Sequence, residues 1–360
     1  MGARLLCAPF DRHQPAVRAR HPPLPSYNSP MRSFLIAQLF RGLSAGALAC
    51  AAFVPISASA VEDRVIVVLN SGDATISILD PVSLKTLRTI DTGKEPHHLM
   101  ATPDGKELIV ASAAGNNLMF LDSKSGNVQR IVRGIDDPYQ LAFSPDRKWF
   151  AVTCLRLNRV DIYEADTFKL VKRIALAKLP SHLVFSGDSA MVFVTLQGSD
   201  EIAAIEVKTQ IVKWTMKVGK LPAGIWITPD DKQLMVGIMG ENYVDVIDWR
   251  TQKSVAHVVT GKGAHNFLPM GDKRRVLVSN RVENTVSIVD MSNWTKLADI
   301  KVPGGPDCME LTADGNTLYV TSRWIKQVAV VDLAQRAVVA QAMVGRSPHG
   351  IYFESHAARQ

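Results

Sequence analysis

From residue 61 onward the chain is built of short apolar runs separated by polar, turn-rich stretches, and the pattern repeats. The phrase "EPHHLMATPDGKELIVAS" (Glu95–Ser112) returns as "DPYQLAFSPDRKWFAVTC", "LPSHLVFSGDSAMVFVTL", "LPAGIWITPDDKQLMVGI", "GAHNFLPMGDKRRVLVSN" and "GPDCMELTADGNTLYVTS". Units begin at His97, Tyr139, Ser181, Ala223, His265, Asp307 and His349, each step being 42 residues with no insertion. Within a unit the pattern predicts four strands. An inner strand such as "HHLMAT" is followed by an Asp-containing turn, a second strand "ELIVAS", a small polar loop, and strands "LMFLD" and "VQRIVR". The runs are β-branched and apolar with turn residues between them, as strands require. A period near 40 with several short strands per unit predicts an all-β, seven-bladed β-propeller with four-stranded blades.

The register holds residue by residue. Thirteen residues after each start stands Val110, Val152, Val194, Val236, Val278 or Val320, with Val68 in the head segment. Seven residues after each start stands an aspartate, from Asp104 to Asp314, and a later position is always acidic, from Asp80 to Asp332. Features common to every unit read as structural; the aspartates suit tight turns, where the side chain bonds its own backbone. Residues 61–96 supply only the second, third and fourth strands of a blade, and residues 349–354 supply only a first. The tail is therefore expected to complete the head blade and leave no bare sheet edge. Removing the residues after Val344 should open the ring.

The stretches "TLYVTS" (Thr317–Ser322), "VLVSNRVENTVSIVD" (Val276–Asp290) and "VGRSPHGIYF" (Val344–Phe353) resemble the YVTN-repeat β-propellers, over essentially all of 61–360. The resemblance implies the seven-bladed fold and often an exported protein. The wider group includes lactonase-like propellers and the propeller that binds haem d1. The latter has eight blades where seven are read here, and no C-x-x-C-H motif is present. No lactonase catalytic set maps onto this chain residue by residue. Fold alone does not decide activity.

Residues 31–60, "MRSFLIAQLFRGLSAGALACAAFVPISASA", carry a basic start, an apolar stretch and the small-residue site Ala58-Ser59-Ala60, the pattern of a secretory signal peptide. Cleavage is expected after Ala60, leaving no membrane span and placing the protein in the periplasm or outside the cell. Residues 1–30 are rich in Pro and Arg, lack periodicity and read as a disordered or mis-assigned extension. The net charge of +7 mostly leaves with this leader: 35 lysines and arginines then face 33 acidic residues. A near-neutral domain gives no electrostatic case for nucleic acid. The cysteines that remain are Cys154 and Cys308, which permit a disulfide without establishing one.

Function is sought where the units differ. Of seven histidines after residue 60, five occupy the first or second position of a unit: His97, His98, His182, His265 and His349. That excess is beyond random placement. Inner strands of a propeller start together around the central channel, so these residues should gather at its mouth with Tyr139 and Asp307. His97, His265, His349 and Asp307 form a candidate site for a transition metal (Cu, Zn or Fe) or for haem. Adjacent strand residues point opposite ways, so all five histidines are not expected to face one direction. His98, Tyr139, His182, Arg156, Asn280, Arg281, Arg323 and Trp324 are the candidate ligand-binding set. Arginines beside a tryptophan suit an anionic or aromatic ligand. The bland alternatives are imidazoles bonded to neighbouring backbone and a solvated polar rim.

Three functions follow. The favoured one is an exported, monomeric, non-enzymatic binding propeller whose His/Arg-rich channel mouth takes a small molecule, metal, cofactor or envelope protein. The alternative is a lactonase-like hydrolase or a metal- or haem-dependent redox enzyme at the same site. The third is a scaffold that works through outer-strand aromatics, for which Trp214, Trp249 and Trp294 are candidates.

Overall fold

The structure, a computed structural model, describes residues 65–357. The expected leader over 31–60, the extension over 1–30 and the start at Val61 lie outside the described residues. Among the described residues no helix is long and apolar enough to cross a membrane.

Seven four-stranded antiparallel sheets are formed, and each follows chain order except the one that closes the ring. In that sheet Pro348–Tyr352 pairs with Ile66–Asn70, which is followed by Thr75–Leu79 and Thr86–Asp91. The tail thus supplies the inner strand of the head blade, as the repeat predicts. Loop contacts reinforce the closure. The backbone N–H of Gly345 donates to Asn70 Oδ1 at 3.0 Å, and Arg346 forms an ion pair with Asp73. Each inner strand touches the inner strand of the next blade, and Pro348–Tyr352 touches Pro96–Ala101. The seven inner strands therefore surround a central channel.

The core lies between blades. Seven apolar clusters each join residues of two neighbouring sheets. The recurrent valines Val68, Val110, Val152, Val194, Val236, Val278 and Val320 are all fully buried. Full burial of such a side chain is worth roughly 1.5–3 kcal/mol relative to exposure. Outer strands are mostly exposed, for example Thr86–Asp91 and Val128–Arg133. Trp214, Trp249 and Trp294 are half-buried and pack against the interblade clusters.

The recurrent acids are turn formers. Thr102, Ser144, Ser186, Thr228 and Thr312 donate their hydroxyls to the turn aspartates at 2.6–2.7 Å. The later aspartates accept from backbone N–H groups two or three residues on, as Asp122 does from Ser125 at 2.8 Å, while Glu164 and Glu206 accept the hydroxyls of Thr167 and Thr209.

Candidate functional site

The entry to each inner strand is shaped by backbone strain followed by a bulge. Two residues before each unit start the chain is left-handed, at Glu95, Asp137, Leu179, Leu221, Gly263, Gly305 and Ser347. Proline follows in six units, with alanine at Ala264. The register against the second strand then slips. Pro96 faces Ser112 but Leu99 faces Val110, so two residues, His97 and His98, stand opposite one. The same slip occurs at the entry of every inner strand. A bulge of this kind breaks the alternation of side chains and re-aims them.

The expectation that the five histidines splay to opposite faces is therefore corrected. Their rings form one continuous chain of contacts. Centroid separations run His265–His182 5.2 Å, His182–His98 5.1 Å, His98–His349 4.7 Å and His349–His97 3.9 Å. Tyr139 joins at 4.0 Å from His97.

The first-position residues form a plug. His97, Ser181, Ala223, His265, Asp307 and His349 are at most 2% exposed. Asp307 anchors it. Its Oδ2 receives Arg281 Nη2 at 2.5 Å and Arg323 Nη1 at 3.1 Å. Its two oxygens also lie 3.4 Å from His265 Nδ1 and 3.6 Å from His349 Nε2. Burial alone would push this carboxyl up, but the charge of Arg281 and Arg323 outweighs it and holds Asp307 well below the carboxylate range. Burial, with the neighbouring positive charge of the arginines, keeps all five histidines neutral. His98 is held down at about 3, and His97, His182, His265 and His349 lie well below their ordinary value. Burial also pushes the Tyr139 hydroxyl up to about 12 and the Cys308 thiol well up.

Two groups of three donors are each compact enough to hold an ion. The ligating atoms of His97, His98 and His349 lie within 4.8 Å of one another, as do those of Asp307, Cys308 and His349. Cys308 Sγ is 3.4 Å from His349 Nδ1. His265 stands beside Asp307 but belongs to neither group. His98 and Cys308 enter the donor sets because the bulge brings second-position residues inward.

The remaining candidates separate. Arg281 and Arg323, sixteen residues after their unit starts, reach the cluster. Arg156 stands one residue later in its unit. It is tied at the rim to Asp137 at 2.6 Å and Glu95 at 2.8 Å. Asn280 is buried and donates to Thr285 and Ser287 at 3.0 and 2.8 Å, inside its blade. Trp324, 56% exposed, lies over Gly305, where a Cβ would come within 2.6 Å of the indole. The blade starting at Ala223 contributes no chemistry. A Cβ on Gly224 would lie 1.9 Å from the His265 carbonyl oxygen, so the next strand occupies that space.

Residues 25–359 match the YNCE-like beta-propeller family model. The chain belongs to that family. No curated protein matches the sequence. Among solved structures, hydrazine synthase of Kuenenia stuttgartiensis aligns with TM-score 0.62 and 20% identity over 71% of this chain and 88% of that one. A functionally unknown protein from Desulfotomaculum acetoxidans gives 0.71 and 15%, over 82% and 100%. The dihydro-heme d1 dehydrogenase NirN, in complex with DHE, gives 0.62 and 16%, over 82% and 76%. At these identities the likeness establishes the propeller fold.

Proposed function

We propose that this propeller is a binding protein for a transition-metal ion, held in the imidazole cluster at the head of its channel. The observation that carries the reading is a set of buried ring nitrogens without hydrogen-bond partners. These are His97 Nδ1, His98 Nε2, His182 Nε2, both nitrogens of His265, and His349 Nε2. Leaving a buried polar atom unmade costs about 1–3 kcal/mol. Three of these atoms, on His97, His98 and His349, belong to rings whose ligating atoms lie within 4.8 Å of one another, where a bound ion would accept their lone pairs. Neutral imidazole is the ligating form, and it is the form that this site enforces.

His97, His98 and His349 are the proposed donors, with Asp307 and Cys308 on the other side of His349. Imidazole donors suit zinc, copper or iron, with a metal–nitrogen distance of about 2.0–2.1 Å. The Asp307 carboxylate, 3.4 Å from His265 and 3.6 Å from His349, adds negative charge that favours a cation. A haem is less well supported. The channel cavity beside the cluster is about 230 Å³, below the roughly 300–1,000 Å³ of ordinary ligand sites. The reading takes the protein to be exported, following the leader-like pattern over 31–60.

The test is elemental analysis of untagged protein purified from the extracytoplasmic fraction, followed by calorimetric titration of the stripped protein with zinc and copper(II). About one equivalent, lost in the His97→Ala/His349→Ala double variant, is expected. A protein that binds neither ion, or a variant that binds as well as the parent, would overturn the reading.

A further inference from the structure

Below the plug, the channel opens into a cavity of about 230 Å³. Its roof is the second-position ring, where His98, Gln140, Asn266 and Cys308 face the space. Its walls come from residues further along the inner strands, including Trp226, Phe267, Met309 and Ile351. A second pocket of about 390 Å³ shares Trp226 with it and is lined further by Phe143 and Phe185. Trp226 therefore lines both spaces.

The size limits the occupant. A cavity of about 150 Å³ lined by aliphatic and aromatic side chains holds benzene, and drug-sized sites begin near 300 Å³. This chamber lies between, which suits one ring with small substituents. The lining sets its chemistry. Indole, phenyl and thioether walls favour an aromatic ring over a flexible chain. No carboxylate, ammonium or guanidinium lines the chamber, so a charged ligand would be desolvated without a partner.

The roof supplies direction. Gln140 Oε1 accepts the Leu183 N–H at 2.5 Å, which turns its amide nitrogen to the free side. Asn266 Nδ2 donates to Cys308 Sγ at 3.4 Å, which leaves its carbonyl oxygen as an acceptor. His98 Nε2, on a buried side chain, has no partner. A donor, an acceptor and an imidazole nitrogen thus sit above apolar walls.

We infer that this chamber is a binding site for a neutral, single-ring aromatic molecule that carries a hydrogen-bonding edge, such as a phenol, with its polar edge on Gln140, Asn266 and His98 and its ring between Trp226 and Phe267. The site shares His98 with the proposed metal donors, so the two readings are separated by testing this one on metal-free protein.

The experiment is a titration of metal-stripped protein with phenol, followed by calorimetry and by tryptophan fluorescence, with toluene and benzoate as comparison probes. Saturable binding of phenol in the millimolar range is expected, with a fluorescence change lost in Trp226→Phe. Benzoate should bind at least tenfold more weakly than phenol. In Asn266→Leu/Gln140→Leu, shown to be folded by circular dichroism, phenol should bind about tenfold more weakly while toluene keeps its affinity. Absence of saturable binding in the parent overturns the inference. So does equal affinity of phenol for the parent and the double variant, or benzoate binding as tightly as phenol. A protein that takes up zinc but not phenol overturns the chamber and leaves the metal reading standing. The reverse result does the opposite.

Discussion

Residues 307 and 308 are neighbours on one strand and live in different worlds. Asp307 belongs to the plug, with no exposed surface and two arginines on its carboxylate. Cys308 looks into the chamber below and is only partly covered. The same pairing of a plug residue with a chamber-lining neighbour recurs at His97 and His98. An ordinary strand would send such neighbours to opposite faces of the blade. Here the bulge turns both inward and stacks them as two layers along the channel. The upper layer is dense and charged at one point, where Asp307 meets its arginines; the lower is uncharged. A single extra residue per blade converts a sheet edge into a roof with a floor beneath it.

The sharpest way to break this contrast is at Asp307. Asp307→Ala leaves Arg281 and Arg323 facing a buried site with no counter-charge, and should cost about 3–5 kcal/mol, read by urea denaturation. A loss below about 1 kcal/mol would mean that the plug does not depend on its anion.

The next effect is acid sensitivity. The five imidazoles are held below their ordinary value in the fold, His98 at about 3. In the unfolded chain they titrate near 6.5. The unfolded state therefore binds more protons below that pH. The stability they contribute is whole above about pH 6.5 and drains away as pH falls toward the folded values. Each imidazole adds a slope of up to about 1.4 kcal/mol per pH unit. Urea midpoints measured at about pH 7.5 and pH 5.5 should fall clearly across that interval. The fall should shrink in His97→Gln/His349→Gln. An unchanged midpoint in the parent would show that the cluster is not held neutral.

The smallest effect belongs to the lower layer. Cys308→Ala enlarges a chamber that already exists and opens no new void. It should cost about 1 kcal/mol or less, measured the same way, against the several kcal/mol of its neighbour. Equal losses at 307 and 308 would erase the distinction between plug and roof.

Much of this architecture was legible in the repeat. The fully buried valine series, the turn aspartates and the strand that closes the head blade all followed from register, because each occurs in every unit. That His97, His265, His349 and Asp307 meet at the channel was legible too, since they stand where the units disagree, but His98 and Cys308 were not read as donors. Three things were hidden. The bulge is a backbone slip, and the left-handed residue ahead of it is glycine in only two units, Gly263 and Gly305. Glu95, Leu179 and Leu221 in the same conformation give no glycine signal. Arg156 resembles Arg281 and Arg323 by loop, but it stands one residue later and Asp137 captures it at the rim. The chamber walls Trp226, Phe267 and Met309 look like ordinary core residues, because only the curvature of the ring leaves space between them.

The pairing that closes the ring also fixes how the molecule bears load. Val67 lies opposite Tyr352 and Asn70 opposite Pro348, so the leading end of one strand adjoins the trailing end of the other. Tension applied to those two ends pulls at one corner of the seam and parts its hydrogen bonds one after another, like a zip. Tension applied across any other blade meets strands joined by covalent turns. The closure is thus stiff against thermal breathing, where all its bonds act together, and weak against peeling, where they act singly.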